Sequence, residues 1–250
     1  MRYAGIDIGS RTVELVVVDA AGQIEISRQT DTGFDPLTAA RELMNEVAYD
    51  RILATGYGRN LFEIGFDAPT ATEIKAHARG ARACFPDAEA VLDIGGQDSK
   101  AMALFPDGRV KKFEMNDRCA AGTGKFLEIM ARSLGFDIGE FGREALRAEA
   151  ELTVSSMCTV FAESEVTSLI AKGADRRGIA RGLHASVVRR AAGMLNRVSG
   201  AERIVFTGGV AKNPAMGTLL REKLGRTVSI PDDPQRVGAL GAALLAMEIG

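Results

Sequence analysis

Short apolar stretches separated by glycine and polar turns open the chain. Three of them have the pattern of β-strands: Tyr3–Ile8, Val13–Asp19 and Gln23–Gln29. Asp35–Ala48 spaces its apolar residues as an amphipathic helix does, and Arg51–Ala54 returns as a strand. This alternation of strands and helices is typical of an α/β fold.

The same order of elements returns further along the chain. The stretches Ala90–Ile94, Ser99–Phe105 and Arg109–Met115 again predict three strands, and Asp93 ends the first of them as Asp7 does. Strand ends of this kind are common in α/β proteins, which is the alternative explanation. Because the aspartate, the following glycine and the hairpin recur together, we predict an internal duplication.

Helices dominate after residue 116, and no low-complexity linker divides the chain. The predicted helices cover Ala121–Leu134, Ile138–Ala148, Val160–Ala171, Arg176–Val198, Pro214–Leu224 and Gly238–Glu248. Two further strands are predicted over Arg203–Phe206 and Thr227–Ile230. We expect two subdomains, residues 1–88 and 89–250, with the C-terminal helix able to pack back onto the first.

Three glycine-rich segments follow predicted strands: Asp7–Thr12, Asp93–Lys100 and Phe206–Asn213. Glycines at strand ends let backbone N–H groups approach phosphate oxygens, and an aspartate there can hold Mg²⁺ directly or through water. The third segment opens a helix and suits the nucleoside end of a ligand. Each segment alone is a common turn, whereas all three in this order predict a nucleotide site.

The motifs of two other nucleotide-binding folds are absent from the sequence. No G-x-x-x-x-G-K-[ST] segment occurs, which argues against a P-loop NTPase. No G-x-G-x-x-G segment opens a helix after the first strand, which argues against a Rossmann dinucleotide site.

Composition narrows the class of protein further. A net charge of −2 argues against a general electrostatic nucleic-acid binder. No apolar run reaches the roughly 18–20 residues that span a bilayer, and no signal-peptide pattern precedes the first strand. We therefore expect a cytoplasmic protein with neither nucleic acid nor membrane as a partner. The three cysteines of such a chain do not form a disulfide framework.

Two of the cysteines, Cys119 and Cys158, each stand just before a predicted helix. Helix N-termini favour thiolates and negatively charged clusters. A [4Fe–4S] cluster usually takes four thiolates, so two chains would have to supply them. Two buried structural cysteines, or a Zn²⁺ ion bridging two chains, are alternatives that the residues by themselves leave open.

The three glycine-rich segments resemble the phosphate-1, phosphate-2 and adenosine motifs of the actin/hexokinase/Hsp70-like ATPase superfamily. The resemblance implies duplicated actin-like (ribonuclease H-like) domains with ATP or ADP in the cleft between them. It places Asp7 and Asp93 beside Mg²⁺ and the phosphates, and we take Gln97 as the candidate to orient the attacking water. The other nucleotide contacts that it implies are Gly9, Ser10, Arg11, Thr12, Gly95, Gly96, Asp98 and Lys100 at the phosphates, and Gly208, Gly209 and Asn213 at the adenosine.

A narrower resemblance covers nearly the whole chain. The segments ATGYGRN, DIGGQDSK, NDRCAAGTGKFLEIMA, CTVFAESEV and TGGVAKN, in this order, are similar to the ATPase activators of 2-hydroxyacyl-CoA dehydratases and the ATPase subunits of benzoyl-CoA reductase. That family implies a homodimer in which Cys119 and Cys158 of each protomer ligate one [4Fe–4S] cluster. It also implies a low-potential electron donor, ferredoxin or flavodoxin, and an acceptor dehydratase or reductase component with its own iron–sulfur clusters.

The chain departs from the family at one position of the first phosphate loop. A lysine is expected shortly after Gly9-Ser10, and Glu14 stands there instead, with Arg11 earlier. Which basic side chain of this loop would meet a phosphate is therefore left open.

Two rival functions are compatible with parts of the sequence. A small-molecule kinase of the same superfamily would carry no cluster and usually needs larger insertions than 250 residues allow. A nucleotide- and redox-sensing module without a reductase partner is the other. Cys84 matches no cluster motif and is interpreted as structural. His77 and His184 fall in helical stretches without metal or triad spacing, and we expect satisfied or surface histidines.

Overall fold

The computed structural model describes residues 1–155 and 158–249, and in these ranges the strands form two sheets. The first sheet has the order β3-β2-β1-β4, formed by β1 Tyr3–Ile8, β2 Thr12–Val18, β3 Ile24–Asp31 and β4 Arg51–Thr55. The second has the order β7-β6-β5-β8-β9, formed by β5 Ala90–Ile94, β6 Ser99–Leu104, β7 Val110–Asn116, β8 Arg203–Thr207 and β9 Thr227–Ser229.

Helices pack against both sheets. They are α1 Pro36–Met44, α2 Arg59–Phe66, α3 Glu73–Cys84, α4 Gly124–Ser133, α5 Ile138–Leu146, α6 Thr159–Ala171, α7 Arg176–Val198, α8 Pro214–Leu224 and α9 Val237–Glu248. Within the described ranges, none of these helices combines the length and the apolar character needed to cross a bilayer.

The two sheets repeat one local topology. β1 pairs antiparallel with β2 and parallel with β4, just as β5 pairs antiparallel with β6 and parallel with β8. The equivalent trios of neighbouring residues are Asp7, Glu14 and Thr55 in the first sheet and Asp93, Lys100 and Thr207 in the second. Glu14 therefore occupies the position that Lys100 has in the other half of the chain.

The C-terminal helix α9 packs back on the first sheet. Its buried residues contact Val16 and Val18 on β2 and Leu53 on β4. Gly5 on β1 and Gly241 on α9 permit this approach, because a Cβ at either position would overlap backbone atoms of α9 or α3. The boundary between residues 88 and 89 stays a prediction.

Helices α2 and α3 were not delimited from the sequence. α4 and α5 bury the large side chains of Phe126 and Phe141, which give a clear apolar stripe. The buried face of α3 instead consists of small residues and one histidine: Ala76, His77, Ala78, Gly80 and Ala81. Small side chains suit close helix–helix contact but leave a weak hydrophobic period, so the pattern did not reveal this helix.

Candidate nucleotide and cysteine sites

A cavity of about 830 Å³ lies at the carboxyl ends of β1 and β5 and is lined by residues of both sheets. All fourteen residues predicted to contact the nucleotide line it, from Asp7 on β1 to Asn213 before α8. Gln97, the candidate to orient water, is exposed there. The structure thus brings the three glycine-rich segments into one place.

Asp7 and Glu14 are neighbouring carboxylates on β1 and β2, and both are buried in the cavity wall. Burial raises the pKa of Asp7 to about 8, although nearby His77 acts in the opposite direction. Burial likewise raises the pKa of Glu14 to about 7, although a hydrogen bond with Thr12 acts to lower it. Buried carboxylates that titrate this high are poorly compensated, and a hard cation such as Mg²⁺ would compensate them. Asp7, which is one of the two aspartates expected at Mg²⁺, therefore fits that ion, and Asp93 lines the same cavity.

Lys100 provides the opposite charge on the other side of the cavity. Its ammonium group is almost completely buried and lies 2.6 Å from Glu73, 2.7 Å from Asp98 and 3.4 Å from Asp93. Burial alone would lower the pKa of Lys100, but the three carboxylates hold it above its ordinary range. The lysine is therefore a fixed positive charge beside the second phosphate loop.

His77 also lines the cavity, although the sequence did not point to it as a site residue. Its imidazole is buried between the two strand-end aspartates, with Nδ1 3.3 Å from Asp93 Oδ1 and Nε2 3.7 Å from Asp7 Oδ2. Thr207 Oγ1 donates a 2.9 Å hydrogen bond to Asp93 Oδ1 and lies 3.4 Å from His77 Nδ1. One sequence signal could have pointed to His77, because it lies one helical turn after Glu73 and so shares a helix face with it. That signal could not be used, since the bounds of α3 were not predicted.

The first phosphate loop is closed by a hydrogen bond of 3.0 Å from the Gly9 amide to the Thr12 carbonyl. Arg11 leaves this loop toward the second half of the chain, where its guanidinium lies 3.5 Å from Glu128 on α4. Its aliphatic part packs so closely on Gly96 that a Cβ there would touch it. Arg11 is thus the basic side chain that this loop presents at the cavity.

Asn213 lies at the part of the cavity where the sequence predicts the adenosine. Its Oδ1 accepts from the Ala215 amide at 3.0 Å and so caps α8, while its Nδ2 lies 2.9 Å from His184 Nε2. His184 Nδ1 is 2.7 Å from the Ala180 carbonyl, so both ring nitrogens have partners and the histidine is satisfied, as expected. Further cavity residues that the sequence analysis did not identify are Lys125, Ile138, Gly142 and Gln235.

Both motif cysteines have free thiols, but only Cys158 lies at the start of a helix. Cys119 was expected just before a helix and instead lies in the loop before α4, which begins at Gly124. Cys158 is the N-cap residue of α6, and no side chain in the described ranges caps that helix. The Cys119 carbonyl accepts from Asn116 Nδ2 at 2.9 Å, which ties its loop to the end of β7. A thiol at an uncapped helix start, as at Cys158, fits a thiolate-bound anionic cluster.

Neither Cys119 nor Cys158 is fully buried, as a cysteine that only fills the core would be. Cys158 is exposed, Cys119 is half-buried, and the adjacent Val160 and Phe161 each leave 67% of their surface exposed. Within residues 1–155 and 158–249, no three His, Cys, Asp or Glu side chains are placed to hold one metal ion together. Cys84, interpreted as structural, has an exposed side chain at the end of α3.

Comparison with known proteins gives matches over almost the whole chain. The activator of lactoyl-CoA dehydratase from Anaerotignum propionicum is 40% identical, over 99% of this chain and 98% of its own. A benzoyl-CoA reductase subunit from Thauera aromatica is 33% identical, over 97% of this chain and 91% of its own. The solved activator of 2-hydroxyisocaproyl-CoA dehydratase from Clostridium difficile, with bound ADPNP, superimposes with a TM-score of 0.91 at 36% identity, covering 99% and 95%.

These matches confirm both the fold class and the family expected from the sequence. The two-sheet α/β architecture is that of actin-like ATPases. The profile of the BadF/BadG/BcrA/BcrD ATPase family matches residues 4–246. The chain belongs to the BadF/BadG/BcrA/BcrD ATPase family.

Proposed function

We propose that the protein is an ATP-dependent activator that delivers low-potential electrons to a dehydratase or reductase. The observation that carries this proposal is the pairing of two sites in one chain. One is a cavity with strand-end aspartates from both sheets, and the other consists of two free cysteines, Cys158 at a helix start and Cys119 in the loop before α4. The names of the relatives, activators of 2-hydroxyacyl-CoA dehydratases and a benzoyl-CoA reductase component, support the same role.

The nucleotide part of the proposal assigns roles along the cavity. Asp7 and Asp93 would hold Mg²⁺ directly or through water, because Mg²⁺ takes few carboxylates and keeps much of its water. Lys100 and Arg11 supply positive charge to the phosphates of ATP, and the glycine amides of both loops donate to phosphate oxygens. Gln97 orients the water that attacks the terminal phosphate. The adenosine lies against Gly208, Gly209 and the α8 cap.

The redox part assigns Cys119 and Cys158 of two protomers to one shared [4Fe–4S] cluster. Each chain contributes two thiolates, and a homodimer supplies the four that such a cluster takes. When bound, the cluster carries the electron between a ferredoxin or flavodoxin donor and the acceptor component. The exposed Val160 and Phe161 beside Cys158 would be covered by the second protomer.

Iron content and size test the shared cluster together. Anaerobically purified protein should be dimeric and contain about two iron atoms per protomer, since four atoms are divided between two chains. Cys119→Ser and Cys158→Ser should each lose the iron, whereas Cys84→Ser is the matched control and should retain it. Four iron atoms on a monomeric chain, or full iron content in both variants, would refute the arrangement.

A further inference from the structure

His77 lies where the two halves of the nucleotide cavity meet. Asp7 ends the first strand of one sheet and Asp93 ends the first strand of the other, and the imidazole is the group between them. Its side chain keeps only 6% of its surface exposed, so little water reaches either face of the ring. A single side chain from α3 therefore contacts the principal carboxylate of each sheet.

Helix α3 holds this imidazole in place from several directions. Thr72 caps the helix by accepting from the Lys75 amide, and Glu73 in the first turn is anchored 2.6 Å from Lys100. Behind the ring, Gly238 at the start of α9 leaves no room for movement, because a Cβ there would overlap both Asp7 and His77. The ring is thus confined between α9 and the two aspartates.

The hydrogen-bond pattern indicates that the His77 ring keeps Asp7 and Asp93 apart and does more than fill space in the core. The Thr207 hydroxyl donates its hydrogen bond to Asp93 Oδ1, which leaves its oxygen free to accept from His77 Nδ1. In the tautomer protonated at Nδ1, that N–H faces both the hydroxyl and the carboxylate. Nε2 then faces Asp7. Without the ring, the two buried carboxylates would face each other across an empty space. Asp93 would keep its contact with Lys100 at 3.4 Å, whereas Asp7 would lose its contact with the imidazole.

We propose that His77 is a positioning residue that fixes the separation and orientation of Asp7 and Asp93 for the hydrated Mg²⁺ of the nucleotide. This inference rests on the proposed ATPase function. It assigns to His77 no contact with the nucleotide and no proton transfer. His77 acts by positioning the two carboxylates. Its loss should therefore change the Mg²⁺ dependence of hydrolysis and leave the affinity for the nucleotide without Mg²⁺ unchanged.

The test compares His77→Ala, His77→Asn and His77→Gln in the anaerobic dimer. The asparagine amide can reach the position of Nδ1, whereas the longer glutamine amide can reach that of Nε2. Leu43→Ala on α1 is the matched control, since it removes a buried side chain far from the cavity. Three quantities are measured for each protein: ATP hydrolysis against Mg²⁺ concentration, ADP affinity by calorimetry with and without Mg²⁺, and the thermal midpoint.

In His77→Ala we expect kcat to fall by up to about 100-fold, the scale of a displacement of about 1 Å in a reacting geometry. The Mg²⁺ concentration for half-maximal hydrolysis should rise, and the gain in ADP affinity on adding Mg²⁺ should shrink. ADP affinity without Mg²⁺ should stay unchanged, and His77→Gln should recover more of the Mg²⁺ response than His77→Asn. Leu43→Ala should lower the thermal midpoint and leave every Mg²⁺ response intact.

Two results would overturn the proposal. One is a wild-type Mg²⁺ response in His77→Ala or, if that variant does not fold, in His77→Asn. The other is that Leu43→Ala, when it is destabilised as much as His77→Ala, loses its Mg²⁺ response to the same degree as His77→Ala. Wild-type protein that hydrolyses no ATP would instead remove the proposed function, and the Mg²⁺ dependence of ADP affinity would still decide the role of His77.

Discussion

The amide of Lys125 donates a 2.8 Å hydrogen bond to the carbonyl oxygen of Gly96. This bond, with a 2.9 Å bond from the Gly124 amide to the Gly95 carbonyl, fastens the first turn of α4 to the second phosphate loop. The loop of Cys119 leads directly into that turn. A displacement of the phosphate loop would therefore reach the cysteine loop through a continuous hydrogen-bonded path.

This connection predicts that nucleotide changes the accessibility of the cluster. The rate at which a chelator removes iron from anaerobic protein should differ between no nucleotide, ADP and ATP, because ligands shift a conformation only by binding its states unequally. By linkage, oxidised and reduced protein should bind ATP with different affinities. Asp93→Ala is the control and should show one rate under all conditions. Identical rates in the wild type, with equal ATP affinities, would leave the two sites uncoupled.

Asp7→Asn and Asp93→Asn should each abolish ATP hydrolysis and leave the iron content at the wild-type level. Both side chains face the cavity, and their removal takes a charge from the Mg²⁺ site without touching the cysteine loops. A loss of at least about 100-fold in kcat is expected, the scale for removing one preorganised electrostatic contact. Hydrolysis and iron are measured on the same samples. Near wild-type turnover in both variants would place the nucleotide elsewhere.

Lys100→Met should destabilise the protein by about 3–5 kcal/mol, because it leaves buried carboxylates without their partner. The three affected groups, Glu73, Asp93 and Asp98, all lie within 3.4 Å of the ammonium group. The measurement is urea unfolding at neutral pH. Lys75→Met on the exposed side of α3 is the matched control and should stay within about 0.5 kcal/mol of the wild type. Equal stability of the two variants would show that the three carboxylates do not depend on the Lys100 ammonium group, which would contradict the prediction.

Stability should fall in acid through His184. Burial lowers the pKa of His184 to about 4, against a hydrogen bond to the Ala180 carbonyl, so the folded protein keeps the ring neutral. The unfolded ring protonates near its ordinary pKa of 6.5. Its contribution is therefore complete above pH 6.5 and is lost as pH falls to about 4, by roughly 3 kcal/mol in total.

His184→Gln removes this titration and keeps a donor and an acceptor. The difference in unfolding free energy between wild type and variant, measured at several pH values, isolates the histidine from the carboxylates. That difference should favour the wild type most at neutral pH and should shrink toward pH 4. A difference independent of pH would contradict the assignment of a neutral buried ring.

Much of this protein followed from local sequence patterns. Strands such as Tyr3–Ile8 and Ala90–Ile94 are mostly apolar runs with an aspartate as the penultimate residue and a glycine directly after the strand, and that signal needs no knowledge of distant contacts. The repeated aspartates, the glycine segments and the two cysteine motifs sufficed for the fold class and the family. The resemblance that these patterns carry named fourteen residues that the structure gathers around one cavity.

What only the tertiary structure decided is how residues far apart in the chain face each other. His77 is an ordinary residue of an alanine-rich stretch until α3 sets its ring between strand ends from two sheets. The pairing of Glu73 with Lys100 likewise depends on how α3 is placed against the second sheet. Periodicity reports which face of an element is apolar, whereas the partner of a buried polar group is set by the relative placement of whole elements, which no local pattern encodes.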